Sequence, residues 1–102
     1  MASALLTEKE IAYRLENTPL LAAWRYESGV LLRIWQDLPY LTLLAYVDYI
    51  ARCAEQADHH PEMLFTWGKL RVCLWTHTAH GVTSLDFSLA EQIETHLPCQ
   101  VI

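Results

Sequence analysis

Residues 55–86 decide the fold, and they read EQADHHPEMLFTWGKLRVCLWTHTAHGVTSLD. Pro61 must end the helix that precedes it, because proline disfavours the helical conformation of the residue before it. Two apolar runs follow, Met63–Trp67 and Leu70–Thr76, and the Gly68–Lys69 pair between them predicts a turn. The stretch therefore predicts the end of a helix followed by a β-hairpin.

The second strand of this hairpin has one face that suits a core. Side chains alternate along a strand, so its residues fall into two sets on opposite faces. The better core candidates are Leu70, Val72, Leu74 and Thr76. The other face carries Arg71, Cys73, Trp75 and His77.

The longest predicted helix precedes the hairpin and begins at Asp37, which is a good N-cap, while Pro39 is tolerated in the first turn. Apolar side chains then recur at three- and four-residue steps, which indicates one apolar helical face. That face is predicted to consist of Tyr40, Leu43, Leu44, Val47, Ile50, Ala51 and Ala54. His59 and His60 then fall at the C-terminal end of the helix or in the loop after it.

Upstream, a capping box and a turn signal predict a short helix and a first hairpin. Residues 7–10 (TEKE) place a hydroxyl three residues before a carboxylate, which favours a helix from about Glu8 to Leu15. Leu21–Tyr26 and Val30–Trp35 are short apolar and aromatic runs separated by Glu27-Ser28-Gly29, so we expect strand, turn and strand.

A second capping box, Thr83-Ser-Leu-Asp86, predicts a last helix that ends before Pro98. Its apolar stripe is expected at Leu85, Leu89, Ile93 and Leu97. Adjacent hairpins with helices between them predict an α+β fold, α-β-β-α-β-β-α, with a four-stranded antiparallel sheet that carries helices on one face. A length of 102 residues predicts a single domain, residues 1–102.

The charge distribution argues against two classes of partner. The formal net charge is −5, and the seven Lys and Arg residues form no run. Binding to a phosphate backbone or to an anionic membrane surface needs concentrated basic charge, so we predict neither direct nucleic-acid contact nor a membrane partner. The most apolar stretch, Leu38–Val47, is also far shorter than the roughly 18 residues of a membrane span.

Cysteine usage and apolar content bound the compartment and the assembly. Cys53, Cys73 and Cys99 are widely spaced without a C-x-x-C pair, which predicts buried thiols in a reducing cytosol. The first six residues lack the basic flank of a signal peptide, so we expect a cytoplasmic protein, with the nucleus as the alternative. The apolar content of 53% exceeds the usual value of about 45–50%. We expect the excess to cover an interface in a homo-oligomer.

Three histidines, His59, His60 and His77, form the candidate catalytic set. Imidazole exchanges protons near neutral pH, and general acid–base catalysis by such a group contributes roughly 10²–10⁴-fold in rate. Glu55 lies four residues before His59, so the two are neighbours on one face if the helix persists that far. The carboxylate would then orient an imidazole or accept a hydrogen bond from a substrate N–H.

Other interpretations of these histidines remain open. Metal binding needs three or four ligands at about 2.0–2.2 Å, and the three histidines supply that number, although no His-x-x-x-His motif is present. Histidines at a helix C-terminus are also favoured by the helix dipole without any catalytic role. Nucleophilic catalysis has less support, because no Ser or Cys lies in a recognisable elbow and Cys73 is expected to be packed.

The remaining aromatic and histidine residues carry weaker signals. Trp67 is a candidate wall for a pocket that accepts a flat ligand, whereas the other tryptophans are expected in a core or an interface. His80 and His96 are interpreted as incidental loop and helix-end residues.

The spacing of the acid, the histidines and the aromatic residue forms one pattern. An acid is followed after three residues by His-His-Pro, then by an aromatic residue after five, a histidine after nine and an aspartate after eight. These positions are Glu55, His59, His60, Pro61, Trp67, His77 and Asp86. In this pattern, and upstream in Trp24, Arg33, Trp35 and Tyr40, residues 20–97 resemble the pterin-4a-carbinolamine dehydratases.

The resemblance implies an enzyme that dehydrates 4a-hydroxytetrahydrobiopterin to quinonoid dihydrobiopterin in support of tetrahydrobiopterin recycling. It implies no metal, no separate cofactor, the α-β-β-α-β-β-α fold and a homodimer or homotetramer. His60 and His77 are then expected to transfer protons, His59 to bind and orient the pterin, and Glu55 to hold ring N–H groups or tune a histidine. Asp86 is expected to support His77 or to cap the last helix. The substrate-binding set implied in this way is Glu55, Asp58, Trp67 and Asp86.

The resemblance also implies an alternative function. Some relatives are non-catalytic binding modules that stabilise a partner protein, as transcriptional coactivators or assembly factors, but a pure scaffold would not need an intact histidine set. The sequence departs from the family pattern at Gly68-Lys69-Leu70, Trp75 and His80. Trp75 is expected to reshape the mouth of the pocket, which affects substrate affinity more than chemistry.

Overall fold

The computed structural model describes residues 4–97, and their element order matches the predicted one. The elements are α1 (Glu8–Glu16), β1 (Arg25–Glu27), β2 (Val30–Gln36), α2 (Tyr40–Ala57), β3 (Glu62–Thr66), β4 (Lys69–Leu74) and α3 (Ser84–His96). Two short 3₁₀ turns, Pro19–Leu21 and His77–Ala79, complete the order. The predicted α+β fold is therefore confirmed.

The four strands form one antiparallel sheet in the order β1-β2-β4-β3. The two central strands come from different hairpins and pair from Leu31 opposite Leu74 to Gln36 opposite Lys69. One face of the sheet packs into the same core as the buried side chains of all three helices. The strand side chains in this core include Leu31, Trp35, Leu70, Val72 and Leu74. The predicted core face of the second hairpin is thus confirmed.

Both capping boxes form as predicted. In α1 the Thr7 N–H donates to Glu10 Oε1 at 2.8 Å, and the Glu10 N–H donates to Thr7 Oγ1 at 3.1 Å. The backbone hydrogen bond from Thr7 is the main reason that the pKa of Glu10 lies below its usual value. In α3 the Thr83 N–H donates to Asp86 Oδ2 at 2.8 Å, and Thr83 Oγ1 accepts from the Leu85 N–H.

The first strand is much shorter than the predicted Leu21–Tyr26. Pro19 opens a 3₁₀ turn instead, and the Trp24 N–H donates to the Leu21 carbonyl at 2.9 Å. Proline suits the first position of such a turn because its ring fixes φ and it has no N–H to leave unpaired. The apolar side chain of Leu21 is fully buried, so its hydrophobicity reflects the core rather than a strand.

The predicted start of α2 at Asp37 is also wrong. Asp37 has a left-handed φ of 61°, and its N–H donates to the Gly68 carbonyl at 2.9 Å. The helix begins after Pro39, whose ψ of 145° is extended. A residue that precedes proline avoids the helical region, so Leu38 prevents a helix from starting earlier.

The buried face of α2 is rotated from the predicted one. The buried side chains are Leu43, Tyr46, Ile50, Cys53 and Ala54. Tyr40, Leu44 and Ala51, which were predicted to face the core, are exposed. Leu85 of α3 is likewise exposed, although Leu89 and Ile93 are buried as predicted.

The second hairpin turns one residue earlier than predicted. Thr66 pairs with Lys69, so Trp67 and Gly68 form the turn, and Gly68 adopts a φ of 77° that glycine tolerates. The last strand ends at Leu74, and Thr76 makes a single bridge with Gly81.

The thiols and the helices give two further results. Cys53 and Cys73 are buried free thiols, and burial raises the pKa of Cys73, which favours its unreactive neutral form. Cys99 lies outside the described residues. No helix within residues 4–97 combines the length and the apolar character that a membrane crossing requires.

Candidate functional site

The C-terminus of α2 places the histidine pair. The His59 N–H donates to the Ala54 carbonyl at 3.1 Å and the Asp58 N–H to the Glu55 carbonyl at 3.3 Å, which is the bond pattern of a Schellman motif. Asp58 is the left-handed residue of this motif, with a φ of 50°. Asp adopts this conformation more readily than most residues. Asp58, one of the predicted substrate-binding residues, is therefore an exposed residue that turns the chain out of the helix.

His59 is held by a buried carboxylate. Its Nε2 lies 2.6 Å from Asp86 Oδ1, and the two side chains are only 11% and 0% exposed. Asp86 Oδ2 accepts hydrogen bonds from the Thr83 N–H at 2.8 Å and from Thr76 Oγ1 at 2.9 Å. Three donors thus surround one carboxylate that has no access to solvent.

The two threonine hydroxyls next to Asp86 have a defined direction. Each hydroxyl has a single hydrogen. Thr76 donates its hydrogen to Asp86, so the 2.8 Å bond between Thr76 Oγ1 and Thr83 Oγ1 uses the hydrogen of Thr83. Thr83 was predicted as the N-cap of the last helix, whereas the hydrogen bond from Thr76 to Asp86 was not predicted.

Asp86 joins the two segments that carry the predicted histidines. One oxygen contacts His59, and the other contacts Thr76, the residue directly before His77. The expectation that Asp86 caps the last helix is confirmed. Its side-chain partner is His59, however, and not His77 as the alternative expectation stated.

His60 forms a second and very different carboxylate pair. Its Nε2 lies 2.5 Å from Glu55 Oε2, with the two side chains 56% and 77% exposed. The helix ends at Ala57, so the condition under which Glu55 and His59 would be helical neighbours is not met. Glu55 therefore pairs with His60, five residues later, and not with His59.

His77 lies at the first position of a 3₁₀ turn and is exposed. Its ring packs against the indole of Trp75, with 4.5 Å between centroids and 38° between planes. Both residues line a cavity of about 540 Å³, together with His80 and the Ser28–Gly29 turn of the first hairpin. His80, interpreted from sequence as incidental, therefore lies beside a predicted catalytic residue.

The hairpin topology brings the histidine segments to one end of the sheet. His60 and Pro61 lead directly into β3, and Trp75 to His77 leave β4. The two strands are antiparallel with Glu62 opposite Cys73, so the chain enters and leaves this hairpin at the same end.

Trp67 lies at the opposite end of this hairpin. It is 85% exposed at the tip of the turn, and the six residues of β4 separate it from the histidine end by about 20 Å at roughly 3.3 Å per residue. Trp67 therefore lies far from the histidines of its own chain, and its role as a substrate-binding residue stays a prediction.

Three residues from the first hairpin and α3 fix the helix that carries Asp86. Glu94 Oε1 accepts hydrogen bonds from Trp24 Nε1 and Arg33 Nε, both at 2.8 Å. The Arg33 guanidinium also lies 4.2 Å from the ring centroid of Trp35. The pairing of Glu94 with Arg33 could not be predicted from local sequence patterns, because the two residues lie 61 positions apart.

The metal interpretation gains no support from the arrangement of ligands. Within residues 4–97, no three His, Cys, Asp or Glu side chains are grouped closely enough to hold a metal ion.

The chain is similar to one family over almost its whole length. The sequence model of the family described as "Pterin 4 alpha carbinolamine dehydratase" matches residues 4–96. A relative from Acidobacterium capsulatum is 36% identical over 94 residues, which cover 92% of this chain and 99% of the relative. One from Haloarcula marismortui is 37% identical over 89 residues, covering 87% and 91%. Both carry the name "Putative pterin-4-alpha-carbinolamine dehydratase".

Solved structures support the same relationship. A crystal structure from Brucella melitensis, titled "transcriptional coactivator/pterin dehydratase", superposes with a TM-score of 0.79 at 28% identity and covers 89% of this chain and 96% of that one. A pterin dehydratase-like protein described as a RuBisCO assembly factor in the alpha-carboxysome shares the fold, with a TM-score of 0.57, 16% identity and coverage of 71% and 83%. The agreement of the family match, the relatives and the fold shows that this chain belongs to the pterin 4 alpha carbinolamine dehydratase family.

Proposed function

We propose that this protein dehydrates 4a-hydroxytetrahydrobiopterin to quinonoid dihydrobiopterin and water, and so supports the recycling of tetrahydrobiopterin. The reaction delivers a proton to the 4a-hydroxyl, which leaves as water. A proton is lost from the adjacent ring nitrogen, and a double bond forms between that nitrogen and C4a. Proton transfer alone balances this reaction, so it needs no metal and no separate cofactor.

His60 and His77 are the proposed acid and base. Both side chains are exposed, so their rings are accessible to a substrate. His59 is the proposed binding and orienting residue. Its buried ring has Nε2 committed to Asp86, which leaves Nδ1 as the nitrogen that can face a pterin. Neutral imidazole that donates through one nitrogen accepts through the other.

The carboxylates have different proposed roles. Glu55 orients His60 in the free enzyme and is available to the ring N–H groups of the pterin, because it is well exposed. Asp86 acts through His59 and Thr76. Asp58 acts by shaping the chain before the histidines and, in the wider substrate-binding prediction, contacts the pterin directly.

One observation carries the proposal. The Asp86 carboxylate contacts His59 with one oxygen and Thr76 with the other, so a single buried group connects the segments of the three histidines. A catalytic interpretation accounts for this contact, whereas an incidental pair of helix-end histidines does not require it.

The test is the dehydration rate of His60→Ala. We expect a fall of at least roughly 10²-fold, the lower end for a lost proton-transfer group, with an unchanged circular dichroism spectrum. The matched control is Arg52→Ala, which removes an exposed basic side chain from α2 and should leave the rate within about twofold of the wild type. Wild-type turnover by His60→Ala would remove the assignment.

An exposed apolar surface on α2 favours a second candidate function, which is binding to another protein chain. α2 leaves Tyr40, Leu41 and Leu44 exposed, with Leu41 at 72%. Exposed apolar clusters on soluble domains commonly mark protein contacts. We propose that this surface forms the interface of a homodimer or homotetramer, and the alternative is that it binds a different protein.

Leu41→Glu separates these uses of the surface. If the chain self-associates through α2, this variant lowers the mass measured by light scattering, while His60→Ala does not. If the chain is a scaffold alone, His59, His60 and His77 variants keep full partner binding and the wild type has no dehydratase activity.

A further inference from the structure

The ring of His77 is held differently from the rings of the other two histidines. His59 and His60 each place Nε2 against a carboxylate, Asp86 and Glu55 respectively. Across residues 4–97, the His77 ring has no hydrogen-bonding partner, and its packing contact is the Trp75 indole at 4.5 Å.

The backbone of His77 is fixed by the turn that it begins. The Thr76 N–H donates to the Gly81 carbonyl at 2.8 Å, and the Gly81 N–H donates back at 3.3 Å. His80 closes the turn by donating its N–H to the His77 carbonyl at 3.2 Å, with a left-handed φ of 60°. The position of the His77 Cα is therefore determined, and the side-chain torsions alone remain to be set.

Trp75 is held firmly enough to determine the side-chain torsions of His77. It lies one residue beyond Leu74, which is fully buried in the core. Its own side chain is half-buried and lines the cavity beside the Ser28–Gly29 turn. A large aromatic wall restricts which staggered orientations the neighbouring imidazole can adopt.

We infer that Trp75 is a positioning residue that holds the His77 imidazole in the orientation needed for proton transfer. This inference rests on the proposed function, in which His77 is one of the two proton-transfer groups. An indole face orients the ring without occupying either nitrogen, so both nitrogens stay available to the substrate. A carboxylate partner, as at His59, would occupy one of them.

The kinetic test compares Trp75→Ala with Trp75→Phe. Trp75→Ala should lower kcat about tenfold, equivalent to about 1.4 kcal/mol, with KM changed less than about threefold. Trp75→Phe keeps an aromatic face and should recover kcat to within about threefold of the wild type. Tyr13→Ala, which removes an exposed aromatic side chain from α1, is the control and should leave both constants unchanged.

A second readout does not depend on turnover. The ring current of Trp75 should shift the His77 ring protons upfield in the NMR spectrum, with the signals assigned by their absence in His77→Gln. Trp75→Ala should move these signals downfield, and Trp75→Phe should keep most of the shift.

The outcomes separate the inference from the proposed function. If the wild type is inactive but its His77 ring protons show the expected upfield shift, the dehydratase function is refuted and the inference with it. The contact between the two rings would still be supported. If the wild type is active, any one of three results would overturn the positioning role and leave the dehydratase function standing. These are an unchanged kcat in Trp75→Ala, a rise in KM alone in Trp75→Ala, or a kcat in Trp75→Phe as low as that of Trp75→Ala.

Discussion

The two capping boxes of this chain share one sequence pattern but lie in different environments. Thr7 and Glu10 form an exposed box that stabilises only the start of α1. Thr83 and Asp86 form a fully buried box whose carboxylate also receives His59 and Thr76. The difference shows that a local motif becomes part of a site when the surrounding fold brings further hydrogen-bond donors to its carboxylate.

The largest expected effect comes from removing the buried carboxylate of Asp86. Asp86→Ala leaves His59, Thr76 and the Thr83 N–H without their acceptor in a site closed to water. Breaking a buried polar pair of this kind costs about 3–5 kcal/mol, and we expect a loss near the lower value in the free energy of unfolding measured with urea.

Asp86→Asn keeps the shape of the side chain and provides a folded variant if Asp86→Ala does not accumulate. It should be less destabilised and should still lose dehydratase activity, because an amide cannot accept from both His59 and Thr76 in the same way. A stability equal to the wild type in Asp86→Ala would contradict the view that the buried box differs from the exposed one.

A smaller contrast is expected from the two threonines. Thr83→Ala removes an N-cap and leaves the Thr76 hydroxyl without its donor, so we expect a loss of about 2 kcal/mol. Thr7→Ala removes a cap exposed to water and should cost about 0.5–1 kcal/mol. Thermal and urea unfolding of the two variants side by side measures the difference, and equal losses would mean that burial adds nothing to the cap.

The smallest effect concerns the pH dependence of the exposed box. The pKa of Glu10 is lowered in the folded protein, chiefly by the Thr7 N–H. A lowered pKa means that the box contributes stability above the ordinary carboxyl pKa and loses it as the pH falls through the folded value. The wild type should therefore lose slightly more stability than Glu10→Gln on acidification. Parallel curves of unfolding free energy against pH for the two proteins would exclude this contribution.

The sequence predicted the features that depend on neighbours a few residues apart. Both capping boxes and the turn at Ser28 and Gly29 follow from local spacing, whereas the second hairpin turns one residue earlier than predicted. The position of His59 and His60 after α2 was also predicted correctly, but the left-handed Asp58 ends the helix at Ala57, before Pro61 can act.

The wrong predictions have physical reasons that local patterns do not contain. Leu21 is apolar because it fills the core from a 3₁₀ turn. Asp37 is not the N-cap because it has a left-handed φ and the helix begins only after Pro39. The pairing of His59 with Asp86 joins residues 27 apart, so tertiary packing determines it. The spacing motif identified both residues but did not indicate which histidine the aspartate serves.

The double duty of Asp86 has an evolutionary consequence. A lineage released from selection for turnover would be free to replace His60 or His77, whose loss costs the scaffold little. The same lineage would still be penalised for changing Asp86, since the start of α3 depends on it. Descendants that have lost the catalytic activity should therefore still carry an aspartate at the position of Asp86.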